Sequence, residues 1–236
     1  DPQLWYGIGI LYEKFESYEH GISALVAVLK MSPNFYQKNE VLFKLGMIFS
    51  KTNQIQQAIG YFNNSLLSNS FSQKRKTDTH IKIGILYEEL QDFQQALKEY
   101  ETALLEEESY KIHQHMALCS LKMNSITQAL EHVAKAEQLN EGQPDTAYIK
   151  GRCLAEMGDL EQAHKHFSEA AEKYPGDPSY WTSLALVYFK KEDYGKAFEN
   201  IIKATSLNTY KSEIWYNMGV LYEKCRQPEE AKIAYQ

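Results

Sequence analysis

The chain has 236 residues, 44% of them hydrophobic and 24% charged, which suits one globular domain or a short solenoid. Its 25 basic and 31 acidic side chains leave a formal net charge of -6, which argues against a basic face for direct nucleic-acid binding. Only 12 Gly and 6 Pro are few for a turn-rich all-β chain, and no apolar run reaches the ~18 residues that would span a bilayer.

In chain order, one signal returns. Leu4-Trp5-Tyr6-Gly7-Ile8-Gly9-Ile10-Leu11-Tyr12-Glu13 near the start is echoed by Ile214-Trp215-Tyr216-Asn217-Met218-Gly219-Val220-Leu221-Tyr222-Glu223 near the end. A small residue marks each copy between them: Gly9, Gly46, Gly84, Ala117, Gly151, Ala185 and Gly219. Twelve residues after each stands a second small residue: Gly21, Ala58, Ala96, Ala129, Ala163, Ala197 and Ala231. Successive spacings in that second series are 37, 38, 33, 34, 34 and 34. Four residues further comes a large side chain, at Leu25, Phe62, Tyr100, Val133, Phe167, Ile201 and Tyr235. Small residues let two helices approach closely, and a repeat of this size buries its apolar face only against its neighbours.

A period of ~34 residues with this pattern is that of the tetratricopeptide (TPR) repeat. The predicted fold is all-α, a TPR superhelical solenoid of antiparallel helix pairs. The predicted organisation is a single array over 1–236, with repeats near 2–38, 39–76, 77–109, 110–143, 144–177, 178–211 and a truncated 212–236. Asp1 in place of Met and a last repeat cut within its second helix suggest a piece of a longer chain. Extra residues separate repeats one and two around Phe35 to Glu40. Ser68 to Asp78, polar and basic, reads as a long loop. Repeat four departs most, with His113 where Trp is usual.

Catalytic chemistry is not legible. Gly7-Ile8-Gly9 lacks the third Gly and the preceding strand of a dinucleotide fingerprint, and there is no phosphate loop. His113/His115 and His164/His166, two residues apart, turn about 200° on a helix and read as surface histidines rather than metal chelates. Glu106-Glu107-Glu108 reads as a solvated helix end. Asn63-Asn64-Ser65 is a glycosylation sequon on a core helix and is discounted. Cys119, Cys153 and Cys225 form no C-x-x-C and read as reduced core thiols of a cytosolic or nuclear protein. No catalytic residue, cofactor or metal is predicted, and no membrane partner.

In such a solenoid the first helices of the repeats line a concave groove. Positions 5 and 9 of each repeat place there Tyr6, Ile10, Phe43, Met47, Ile81, Ile85, Gln114, Leu118, Tyr148, Arg152, Thr182, Leu186, Tyr216 and Val220. Position 12 adds Glu13, Glu88, Leu121, Phe189 and Glu223. An apolar stripe with an acidic edge suits an amphipathic helix or extended peptide carrying apolar anchors and some positive charge. The expected hot spots are Tyr6, Phe43, Tyr148 and Tyr216. Phe43→Ala with Ile81→Ala is then expected to abolish partner capture and spare the fold. TPR co-chaperones that clamp a C-terminal carboxylate use Lys at position 5 and Asn at position 9. No repeat here offers that pair, and Arg152 stands alone, so no carboxylate clamp is expected.

Two stretches point to one TPR family. Trp5 to Tyr12, Val28-Leu29-Lys30-Met31-Ser32-Pro33-Asn34-Phe35 and Leu42-Phe43-Lys44-Leu45-Gly46-Met47-Ile48-Phe49 resemble early repeats in the TPR subunit of the fungal Ssn–Tup general corepressor and the TPR region of UTX histone demethylases. At the other end, Tyr222-Glu223-Lys224-Cys225-Arg226-Gln227-Pro228 is similar to that family's late repeat. The resemblance implies a nuclear, non-catalytic adaptor in transcription or chromatin regulation. Its implied partners are a WD-repeat corepressor, DNA-bound regulators or histone-modifying subunits. The alternatives are a cytoplasmic TPR scaffold of a ciliary-transport or ubiquitin-ligase assembly, or the TPR region of a larger histone-modifying enzyme.

Overall fold

The computed structural model describes residues 1–67 and 71–236, and among them regular structure is helical throughout. The helices are α1 (Pro2–Lys14), α2 (Tyr18–Met31), α3 (Lys38–Lys51), α4 (Ile55–Leu66), α5 (Gln73–Glu89), α6 (Phe93–Glu106), α7 (Tyr110–Lys122), α8 (Ile126–Leu139), α9 (Pro144–Glu156), α10 (Leu160–Lys173), α11 (Pro178–Lys190), α12 (Tyr194–Leu207), α13 (Ser212–Lys224) and α14 (Pro228–Tyr235). They form two compact units, Asp1–Ile112 and His113–Gln236. α1, α3, α5, α9, α11 and α13 each pack on the helix that follows, and α7 meets α8 through Ala117, Leu121, Ala129 and Val133.

Local chemistry sets the boundaries. Asp92, Asp159 and Asp193 cap α6, α10 and α12 by accepting the backbone N–H three residues on, at 3.1–3.2 Å. Pro2, Pro144, Pro178 and Pro228 open their helices, where a missing N–H costs nothing. The turn inside each pair is built alike. One residue adopts positive φ: Glu16, Asn53, Gln91, Asn124, Gly158, Glu192 or Arg226. The next residue's N–H then donates to a carbonyl five back, as in Asp92 to Tyr87 (2.9 Å) and Asp193 to Tyr188 (3.0 Å). This 6→1 bond closes the orphan carbonyls of the first helix. Among these turns, the left-handed residue escapes a side-chain penalty at Gly158.

The packing explains the period. The large residue of each second helix lies on the small residue of the first. A Cβ added at Gly46 would lie 2.7 Å from the Phe62 ring, and at Gly84 2.5 Å from that of Tyr100. Gly9 under Leu25, Gly151 under Phe167 and Gly219 under Tyr235 repeat the contact. Where the small residue is Ala, the partner is β-branched: Ala117 with Val133 and Ala185 with Ile201, all four buried. The summed volume is held roughly constant along the chain, as a close-packed interior requires.

Two sequence expectations are corrected here. Of the loop expected over Ser68 to Asp78, the part from Gln73 onward is helix. Gln73 to Asp78 belong to α5, which at 17 residues exceeds the other first helices. Ser72 caps it by accepting from Arg75 N–H, and no Gly or Pro stands between Ser72 and Gly84 to break the helix. Residues 68–70 lie outside the described residues. His113 is not a surface histidine. It is 2% exposed and stacks on His132, with ring centroids 5.5 Å apart and Nδ1 atoms 3.2 Å apart. A polar pair thus fills space between α7 and α8 that an indole would occupy, which is why the repeat looks weak in sequence. Cys119 and Cys153 are buried and Cys225 is half-buried; burial pushes the Cys153 thiol up to about 11.

Candidate functional site

In the second unit α9 touches α11 and α11 touches α13, so the first helices lie side by side and present one face. Between them runs an open cleft of about 560 Å³. Tyr148, Arg152, Leu186 and Phe189, all expected at the groove, line it together. Leu186 is 41% exposed, and Phe189 is half-buried beside it. Tyr148 is braced by the rings of Phe167 and Tyr180, at 5.7 and 5.1 Å. The Arg152 guanidinium lies 5.8 Å from the Tyr148 ring centroid. Tyr180 donates its O–H to Asp145 at 2.5 Å; burial and that carboxylate hold its phenol well above the usual range. Leu186, Phe189 and Val220 also meet around a small adjoining hollow. Leu118 is apart from the main cleft, in a hollow with Gln114, Tyr148 and Tyr180. Tyr216 is 62% exposed and stands beside Ile233 and Tyr235, away from the cleft. Thr182, also read as a groove position, is buried and donates to the Pro178 carbonyl at 2.8 Å.

The first unit treats the same positions differently. Phe43, expected on the groove and as a hot spot, is a core side chain, 5% exposed, and is not open on the groove. Its ring packs on Phe62 at 5.4 Å and Phe71 at 6.3 Å, and the Arg75 guanidinium covers it at 4.6 Å. Arg75 is held there by Glu40, with one guanidinium nitrogen donating to both carboxylate oxygens, at 3.0 and 3.1 Å. The extra turn of α5 supplies this lid. Tyr6 is half-buried, 5.8 Å from Phe35; burial and then Glu40 raise its phenol pKa. Ile10, Met47, Ile81 and Ile85 are half-buried, with Met47 packed on the core cluster.

Each glutamate of the acidic edge has a partner within the chain, and Glu223 also stays exposed. Glu13 pairs with Lys44 at 2.9 Å, its side chain only 12% exposed. Glu88 accepts the O–H of Tyr100 and Glu223 that of Tyr235, in each case from the large residue twelve positions on. Leu25 has no phenol to offer Glu13, and a lysine from α3 takes that place. The cleft of the second unit carries the opposite charge. Lys122, Arg152, Lys190 and Lys211 line it against Glu156 and Glu213. Reading positions 5, 9 and 12 missed three of these cations. Lys122 and Lys190 both stand one residue later, at position 13, and Lys211 precedes α13; a sequence reading extended by one position would have found the first two. Among the described residues no group of three or more His, Cys, Asp or Glu is placed to hold a metal ion, and no helix is long and apolar enough to cross a membrane.

Paired helices with a small residue under a large one in every pair, and first helices aligned to form a binding face, define a helical-repeat scaffold for protein partners. The chain belongs to the tetratricopeptide repeat family: models described as "Tetratricopeptide repeat" match residues 40–66, 77–109, 120–187, 178–210 and 212–236. A tetratricopeptide repeat protein from Parabacteroides merdae has the same fold, with a TM-score of 0.88 and 17% identity over 99% of this chain and 90% of that one. The general transcriptional corepressor ssn6 of Schizosaccharomyces pombe is 54% identical over 41 residues, 17% of this chain and 4% of that protein. The BBSome complex member BBS4 of Bos taurus is 28% identical over 100 residues, 42% of this chain and 19% of that protein. The matches therefore span a small part of either curated relative.

Proposed function

We propose that this chain is a non-catalytic adaptor of a transcriptional corepressor or chromatin complex, whose first-helix face holds helical or extended segments of protein partners. The observation that supports this most is the 54% identity over 41 residues with the corepressor ssn6, far above what shared TPR packing alone requires. The partners proposed are a WD-repeat corepressor, DNA-bound regulators or histone-modifying subunits, and the location proposed is the nucleus. Direct nucleic-acid binding is not proposed, because the chain carries a net charge of -6. A second reading, a scaffold of a ciliary-transport assembly, is favoured by the longer but weaker match to BBS4.

The test is to tether the full-length protein to a reporter promoter through a heterologous DNA-binding domain, and to identify what co-purifies with it. Changed reporter transcription, with a WD-repeat protein or histone-modifying subunits recovered, is the expected result. No change in transcription, with BBSome or motor subunits recovered instead, overturns the corepressor reading in favour of the ciliary one.

A further inference from the structure

The cleft between α9, α11 and α13 has a charge the rest of the chain does not. Four cations and only two carboxylates line it, in a chain whose overall balance is -6. Arg152, Lys122 and Lys190 make no ion pair with any described acidic residue. Lys211 is the partial exception, 3.2 Å from the Ser179 hydroxyl and 3.8 Å from Glu213. Leu186, Phe189 and Tyr148 give the same cleft an apolar lining. Cations elsewhere can be neutralised internally, as Lys44 is by Glu13 and Lys150 by Glu137. Uncompensated like charges around one cleft repel one another and lower the stability of the fold unless a ligand neutralises them.

We infer that this cleft binds an acidic peptide segment, one that seats a large apolar side chain on Leu186 and Phe189 and brings carboxylates to Arg152, Lys122 and Lys190. Charge complementarity selects the occupant, while the apolar lining supplies an anchor that a phosphate backbone would leave unused. This is opposite in sign to the partner expected from the glutamates at position 12, none of which lines this cleft. The inference rests on the reading of this face as protein-binding and is independent of whether the complex is transcriptional.

The experiment uses fluorescence anisotropy with the purified chain and three probes. One is a labelled peptide in which Leu and Phe alternate with Asp and Glu. The second carries Lys in place of every acidic residue, and the third is single-stranded oligo(U). The acidic peptide is expected to bind, to weaken with added salt, and to lose about tenfold in affinity in Arg152→Glu/Lys190→Glu. Lys98→Glu, the same change of sign on the exposed surface of α6, is expected to leave it unchanged. Equal or tighter binding of the Lys peptide or of oligo(U) by the unaltered chain would overturn the inference without recourse to any variant. So would equal effects of the cleft and Lys98 reversals. Acidic-peptide binding together with a silent tethered reporter would remove only the transcriptional reading.

Discussion

Phe43 and Leu186 mark the two units' contrast. Both were read as groove-lining, Phe43 at position 5 and Leu186 at position 9 of a first helix, yet Phe43 is 5% exposed and Leu186 41%. In the first unit the extra turn of α5 carries Arg75 onto Glu40 and over the Phe43 ring, so the cleft is filled by the chain's own side chains. In the second unit α9, α11 and α13 are of ordinary length, and the corresponding space stays open and basic. Register alone does not set the surface: position 5 is covered at Phe43 and open at Tyr216, at 5% and 62% exposed. The extra turn of α5 helps to cover Phe43.

The widest separation between the units is expected from truncating those two residues. Phe43→Ala should cost about 3–5 kcal/mol, because a ring packed on Phe62 and Phe71 leaves a cavity. Leu186→Ala should cost at most about 1 kcal/mol and act instead on partner affinity. Urea unfolding of each variant measures this, and similar losses from both would erase the contrast. The Phe43→Ala/Ile81→Ala variant, expected from sequence to spare the fold, is thus expected to lose stability.

A smaller effect tests the constant-volume rule. Gly46→Ala forces the Phe62 ring aside and should cost about 1–3 kcal/mol. Combining it with Phe62→Val recreates the Ala117–Val133 arrangement of the second unit. The double variant should then be more stable than the sum of the single losses predicts, and strict additivity in thermal melts would sink the compensation argument.

The smallest effect is one of pH. His132, His164 and His166, all in the second unit, have pKa values lowered first by burial, and then by His113, Lys191 and Lys150 respectively. The fold holds them neutral, so the unfolded chain takes up more protons as pH falls. Stability is therefore fully present above the unfolded value of about 6.5 and declines as pH drops through it towards the lower folded values. Denaturation midpoints should fall between about pH 7.5 and 5.5, and His132→Gln/His164→Gln should flatten the slope. An unchanged slope in that variant would assign the effect elsewhere.

Much of this was legible in the sequence. The spacing of Gly46, Ala58 and Phe62, and of its counterparts, announces helix pairs, because close approach demands a small residue where a large one lands. Tyr148, Arg152, Leu186 and Phe189 could be placed on one cleft from register alone, since helical position decides which face a side chain takes. What register cannot tell is what lies opposite. Phe43 is buried because Arg75 and Phe71 arrive from another part of the chain, and His113 because His132 meets it from α8. Glu88 and Glu223 point to the groove edge by position, but a phenol twelve residues on claims each of them. Residue spacing thus sets the repeat, the helices and the face they share. Packing between helices sets which positions stay open and which charge they present, because burial and ion pairing depend on distances across the fold that no local spacing encodes.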